Sequence, residues 1–446
     1  MRTSLKYISI IIFFWHISHT GTAQQTFSLD EAIAHAMTKN LDIANGRLAI
    51  EDAEQQIVER RSVGLPQLNG SLEYNYYPQV PIQSLPEEFA AAFGLPAGEP
   101  VEVSFLLKNN FTAGLSANSL LFDGTYFTGL KAARLLRDYT QMELNATEEK
   151  VRNNVMDAYL PSLLIVESIK TLDKNITNLE KVLFETREIY KAGFAEQLDV
   201  DRLVLSLANL KTEKSNLAQQ KKITLDALKF TMNFPLDKEI AINDDIESLL
   251  SEASEEELTG EINYLNRSEF KVAEVGLKLG ELNIEQFERG FWPSVAAFAG
   301  YQYQYQGNTF SDGFWAPTFV LGAQVNVPIF DGFSTRAKKE RAKIDLMKNQ
   351  NSKNMLSNVI KLEVENARNG YLLSKDRLAS QEENLKLAER IYETTQIKYK
   401  EGVGSSVEVN QAEQSLYQTQ QNKIQAQFDL LKAKVALEQA LGDIKN

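Results

Sequence analysis

The sequence predicts a mixed, mainly α fold built on a duplicated strand–strand–long helical hairpin unit. In assembled form it predicts a trimeric 12-stranded transmembrane β-barrel continued by a periplasmic α-helical coiled-coil barrel. Three observations lead there. The chain repeats itself once, four short segments alternate between apolar and polar residues, and two long stretches are almost free of helix breakers.

The first 23 residues read as a signal peptide. Arg2 and Lys6 form a basic start, Tyr7 to Ile17 is apolar, and Gly21 and Ala23 supply small residues for cleavage before Gln24. A single membrane anchor is the other reading, but the apolar run is too short for ~30 Å of hydrocarbon. The chain has no cysteine, which excludes a thioether lipid anchor, disulfides, zinc–thiolate sites and a cysteine nucleophile. With 47 basic against 60 acidic residues, the formal net charge is −13, a poor match for nucleic acid. No later apolar run reaches the length of a transmembrane helix.

The repeat shows in four pairs of motifs. Leu65-Pro66-Gln67-Leu68 matches Trp292-Pro293-Ser294-Val295, and Phe122-Asp123-Gly124 matches Phe330-Asp331-Gly332. Tyr190-Lys191-Ala192-Gly193 matches Tyr399-Lys400-Glu401-Gly402, and Asp199-Val200 matches Glu408-Val409. The separation is roughly 210 residues, the size of a duplicated domain half rather than of a solenoid repeat. The first pair lies farther apart because the first copy carries extra residues in the loop Pro78 to Asn110. Pro81, Pro86, Pro96 and Pro100 within it suit an external lid or a variable surface loop.

The first repeat is expected over 24–233, with a short helix, strands at about 67–77 and 111–122, and a helical hairpin over 125–232. An acidic linker over 234–257, whose cluster Asp244 to Glu257 reads as a solvated belt, separates it from the second repeat, 258–446. That repeat has a helix, strands at about 295–306 and 318–329, and a hairpin over 334–442. In the first strand Leu68, Gly70, Leu72, Tyr74 and Tyr76 oppose Asn69, Ser71, Glu73 and Asn75. In the third, Tyr301, Tyr303 and Tyr305 oppose Gln302, Gln304 and Gln306. An ordinary half-buried sheet alternates too, but tyrosine-rich, glutamine-lined strands on an exported chain favour a barrel wall between lipid and water. Four strands cannot close, and open edges in lipid leave backbone groups unpaired. Two copies would give a narrow, filled barrel; three leave an aqueous lumen.

From Thr125 to Lys191 the only glycine is Gly129, and from Ser334 to Lys400 only Gly370. At 1.5 Å per residue each stretch would reach ~100 Å. Val151, Val155 and Ala158, and Ile360, Val364, Ala367 and Tyr371, recur at helical spacing. Pro161 should kink or interrupt the first helix. Gly193 and Gly402 should turn each helix back, with Leu203, Leu207, Leu210 and Leu217 marking a seam on the return. A fibrous or adaptor coiled coil has similar helices, but not the alternating strands.

Catalysis has no foothold. Behind the signal the only histidine is His35, on an amphipathic helix, so neither a metal site, a cofactor nor a triad is expected. Gly402-Val403-Gly404 lacks the third glycine and the preceding strand of a nucleotide-binding turn.

Taken in order, these motifs resemble the TolC-like outer-membrane factor family over essentially the whole mature chain. The resemblance includes Ser28-Leu29-Asp30-Glu31-Ala32 followed by Asn40, the pre-strand prolines Pro66 and Pro293, both Phe-Asp-Gly junctions and both hairpin tips. It implies a homotrimer in outer-membrane lipid whose helical tube ends in a constriction, with the acidic segment in an equatorial region. It also implies a periplasmic membrane-fusion (adaptor) protein as partner and, through it, an inner-membrane pump. Adaptor contacts then fall at Gly193, Phe194, Gly402 and Val403. The gate tyrosine falls at Tyr399 and the tip carboxylates at Asp199 and Glu408, flanked by Tyr190, Lys191 and Lys400. The chain departs from the family pattern at Gly404, where a basic residue is expected, and at Gln411, where a carboxylate is expected. The expected function is the exit duct of a tripartite efflux system. Type I protein secretion and, in a different class, an exported structural coiled-coil protein are the alternatives.

Overall fold

The computed structural model describes residues 25–86, 94 and 101–442. The signal-peptide expectation and the centre of the 78–110 loop lie outside these residues. The chain folds as two compact units. One comprises Met1–Ala44, Thr147–Ile262 and Leu362–Asn446, the other Asn45–Ala146 and Asn263–Lys361. Two long helices, α3 (Gly124–Lys191) and α8 (Ser334–Lys400), supply residues to both.

The second unit holds the sheet. Strands β2 (Gln67–Tyr76), β5 (Asn109–Phe122), β7 (Ser294–Gly307) and β8 (Phe314–Asn326) lie side by side in that order, all antiparallel. The two copies join through β5 and β7, so the duplication builds one continuous sheet. Two strands begin or end earlier than expected: β5 starts at Asn109, and β8 stops at Asn326 rather than running to Ile329. The small hairpin β3 (Gln83–Leu85) and β4 (Val101–Val103) occupies the first copy's extra loop. Helices α2 (Leu41–Ser62) and α7 (Ser268–Arg289) lead into β2 and β7.

Register decides which residues share a face, because side chains alternate along each strand. Leu72, Ala113, Tyr303 and Pro317 form one cross-strand row, and Gly70, Leu115, Tyr301 and Phe319 the next. On the other face run Ser71, Gly114, Gln302 and Thr318, then Glu73, Thr112, Gln304 and Ala316. The whole sheet therefore has one apolar and one predominantly polar face. Neither is covered: Leu72, Phe319 and Leu321 are 77 %, 68 % and 73 % exposed. At the loop end, Tyr303 stacks on Trp315 at 4.8 Å and Tyr74 on Phe310 at 6.0 Å.

The first unit has a conventional core. Strand β1 (Gln25–Phe27) pairs in parallel with β6 (Ile240–Ile242), and α1 (Leu29–Lys39) follows β1. The Ser-Leu-Asp-Glu opening is a capping box. Ser28 Oγ accepts from the Glu31 N–H while the Glu31 carboxylate accepts from the Ser28 N–H. Asn40 then caps α2 by accepting from the Asp42 N–H at 2.8 Å. Val151, Val155, Val364 and Tyr371 are buried, as their spacing predicts. The interruption that Pro161 could have caused does not occur. Helix α3 continues through it. Proline forfeits one helical hydrogen bond, but its neighbours Tyr159, Leu160 and Leu163 are fully buried, and that packing holds the helix.

The acidic segment keeps most of its carboxylates exposed but is structured as well. It contains β6, α5 (Ile246–Leu249) and α6 (Glu255–Thr259). Ile246 joins the core of Met156, Leu163, Leu431 and Val435. Asp244 accepts from the Leu29 N–H at 2.7 Å and lies 2.8 Å from the Tyr159 hydroxyl. Burial, then the neighbouring Asp244, pushes the Tyr159 phenol well above its usual range. Glu257 is buried against Lys434 at 2.6 Å, and Arg368 donates to the Glu257 carbonyl at 3.0 Å. His35 is a packing residue, edge-on to Phe27 and Phe234.

Candidate functional site: the hairpin tips and the barrel junctions

Both tips lie in the first unit. Helix α3 turns into α4 (Gln197–Thr231), and α8 turns into α9 (Ser406–Leu441). The glycines are left-handed, with φ 83° at Gly193 and 75° at Gly402. In the first tip the Phe194 N–H donates to Ile189 O and the Gly193 N–H to Tyr190 O. In the second the Val403 N–H donates to Lys398 O and the Gly402 N–H to Tyr399 O. These are paired Schellman turns, which consume the orphan carbonyls at each helix end. The residue after each glycine is apolar and left in solvent: Phe194 is 87 % and Val403 77 % exposed. Gly404 has its own structural reason, since a Cβ there would meet Lys398 Cβ at 3.1 Å.

A groove of about 850 Å³ runs between the tips, lined by Phe194, Asp199, Arg202, Tyr399, Gly402 and Ser406 among others. The flanking lysines turn away from the tip carboxylates. Lys191 pairs with Glu188 at 2.7 Å and Lys400 with Glu185 at 3.3 Å. At the turns themselves the hairpins are also tied by a hydrogen bond from Ser406 Oγ to Asp199 Oδ1. The other Asp199 oxygen caps its own helix by accepting from the Glu196 N–H at 3.1 Å. Glu408 is held by its backbone, whose N–H donates to Ser405 Oγ. Tyr190 is partly exposed, whereas the Tyr399 hydroxyl is buried without a hydrogen-bond partner.

Ser406 escapes a reading of the repeat because the first copy has Gln197 at the equivalent place. Ser405 was findable, since Ser-x-x-Glu before an apolar helix is a capping signature. Glu413 was not. It is buried on α9 with one carboxylate oxygen unpartnered, and burial pushes its pKa up to about 7. Beside it, burial and then the charges of Glu413 and Glu185 push the Tyr392 phenol up to about 12.

The two Phe-Asp-Gly junctions, in the second unit, are built differently. In the first, Asp123 Oδ1 accepts from the Thr125 and Tyr126 N–H groups, and Gly124 begins the helix directly. A Cβ on Gly124 would meet Arg289 and Trp292 at 3.1 Å, so glycine is there for close approach. Phe122 stacks on Trp292 at 6.3 Å, just before Pro293. In the second, Asp331 accepts from the Thr335 N–H, and Gly332 and Phe333 both have φ of 65°. Here glycine is needed for its backbone angle. Ile329 and Phe330, 94 % and 73 % exposed, project from irregular chain, where Ile329 was expected to end the strand. Pro66, by contrast, ends the turn after α2 and directly precedes β2.

Residues 32–233 and 264–443 match the family described as outer membrane efflux protein. The chain belongs to that family. The gap in the match, 234–263, is the segment that carries β6, α5 and α6. The pyoverdine export outer membrane protein OpmQ of Pseudomonas putida is 22 % identical over 339 residues, spanning 75 % of this chain and 71 % of the relative. The OpmQ of Pseudomonas aeruginosa is 23 % identical over 337 residues, 75 % and 70 % of the two chains. Among solved structures, CusC superposes with a TM-score of 0.74 at 18 % identity, covering 94 % of this chain and 93 % of its own. The outer membrane protein VceC from Vibrio cholerae gives 0.70 at 16 % identity, covering 93 % and 96 %. The fold is thus that of the outer-membrane channels, and this efflux protein resides in the outer membrane.

Proposed function

We propose that three copies of this efflux protein close one barrel and one helical tube, forming a passive exit duct in the outer membrane. A periplasmic adaptor docks at the hairpin tips, and an inner-membrane pump loads the duct through it. One observation carries this reading. A sheet with one apolar and one polar face, both uncovered, has β2 and β8 each paired along only one side among the described residues. An edge of that kind is untenable in lipid unless a neighbouring copy pairs with it. Three copies of this sheet give twelve strands around a water-filled lumen.

The duct is not an enzyme and supplies no energy; the pump does. Its cargo is small molecules rather than protein. Support comes from relatives named for pyoverdine export and, in ArpC of Pseudomonas putida, for antibiotic efflux. The exposed Phe194 and Val403, each fixed by a Schellman turn, are apolar anchors for the adaptor. The bond from Ser406 to Asp199, in the groove that Tyr399 also lines, holds the hairpins in the closed position, and adaptor docking splays them.

Planar-bilayer recordings of the purified trimer test this. Asp199→Ala removes the acceptor for Ser406 and is expected to raise conductance several-fold, with Tyr399→Phe having a smaller effect. Unchanged conductance and ion preference in both variants would remove Asp199 and Tyr399 from the gate.

A further inference from the structure

The four strands of the sheet carry one formally charged residue between them. It is Glu73. Its cross-strand row is Thr112, Gln304 and Ala316, on the face that also carries Asn75, Asn110 and Gln306. The carboxylate is exposed, and Glu73 Oε1 accepts from Asn75 Nδ2 at 2.7 Å. Amides and hydroxyls around it can orient a solute but add no net charge, so a single carboxylate dominates the field of this wall. The nearest basic position in the register is Lys108, just past the end of β5, where its carbonyl accepts from the Tyr77 N–H. Four residues of strand separate Thr112 from Lys108, roughly 13 Å along the wall. That exceeds the Debye length of ~8 Å at physiological salt, so the two charges act separately.

We propose that Glu73 sets the charge preference of the barrel. Three copies form a ring of carboxylates that admits cationic and zwitterionic solutes and retards anionic ones. The inference rests on the reading of this sheet as one third of a barrel with its polar face inward. The ring is separate from Asp199 and Glu408, which lie at the hairpin tips. In a wall otherwise neutral, like charges at one level concentrate counter-ions there.

The absence of cysteine makes the test direct, because Glu73→Cys introduces the only thiol in the chain. Wild type, Glu73→Gln and Glu73→Cys trimers are recorded in planar bilayers under a potassium chloride gradient. The potassium-to-chloride permeability ratio is expected to fall at least twofold in Glu73→Gln. In Glu73→Cys, a sulfonate-bearing methanethiosulfonate should restore it, and a trimethylammonium reagent should drive it below the Gln variant. The tip carboxylates are intact in every protein compared, so any difference belongs to position 73. An identical reversal potential in all of them overturns the proposal. Wild-type trimers that never insert into lipid would sink the barrel reading itself, and the ring with it.

Discussion

The sheet and the helical core solve opposite problems. In the first unit a chain satisfies itself. Leu163, Ile246 and Leu431 close a dry core, the Tyr159 hydroxyl lies 3.1 Å from the Phe27 carbonyl, and a buried lysine meets a buried glutamate. In the sheet almost nothing is buried, and the apolar face that a soluble protein would hide stands exposed. The difference shows where each part draws its stability. The core owes it to its own apolar burial, whereas the sheet depends on lipid along one face and on paired neighbours along its edges. Substitutions should therefore reveal two separable failures: loss of fold in one region, loss of assembly in the other.

The largest effect is expected in the core. Lys434 and Glu257 are only 6 % and 8 % exposed, and Lys434 also reaches Glu438 at 3.2 Å. Burial opposes the Glu257 charge, but Lys434 and the Ser254 cap still hold its carboxyl below the usual range. Lys434→Met strands that charge and should cost about 3–5 kcal/mol. Denaturation of the purified protein measures it, and adding Glu257→Leu should recover most of the loss. If the single variant is as stable as wild type, the pair is not what holds the acidic segment to α9.

The sheet should break differently. Leu72→Arg puts a charge midway along the apolar face and should cost about 2–4 kcal/mol in lipid. The expected result is a protein that is made and exported but forms few heat-resistant trimers in the outer membrane. Ser71→Arg, one residue away on the polar face, should assemble normally. Equal assembly of both variants would mean that the faces are misassigned.

The two regions also differ in how far they were legible. The strands could be read closely because alternation is a local pattern and the repeat gave a second copy of each strand. The tips could be read because only glycine takes a left-handed turn cheaply. Harder were the features made by residues distant in sequence. Nothing near Glu257 announces Lys434, and nothing near Asp199 announces Ser406. The acidic segment is largely exposed, as its charge run suggests, but the partners that tie it down lie on α9 and α8. The repeat itself misled at Phe-Asp-Gly, where Gly124 answers to a crowded neighbour and Gly332 to a backbone angle. An identical motif does not imply an identical cause.

The smallest effect sharpens the comparison from inside the helical unit, where Glu413 is an ionisable exception to its self-sufficiency. Its carboxyl is buried with Oε2 unpartnered, and its pKa is pushed up to about 7 from a usual 4.5. Tyr392 lies close by on α8, and Glu185, whose charge also reaches that phenol, is on α3. A carboxyl whose folded pKa is raised favours the packed state while protonated. That contribution is complete below about pH 4.5 and is lost as the pH rises through about 7. Between pH 6 and 8 the packed helices near the tip should therefore lose about 1 kcal/mol per chain. Hydrogen exchange of amides in 406–420, followed across that range, should show protection falling in the wild type and staying level in Glu413→Gln. A level profile in both would mean that water reaches this carboxylate and that the region is as self-satisfied as the rest of its core.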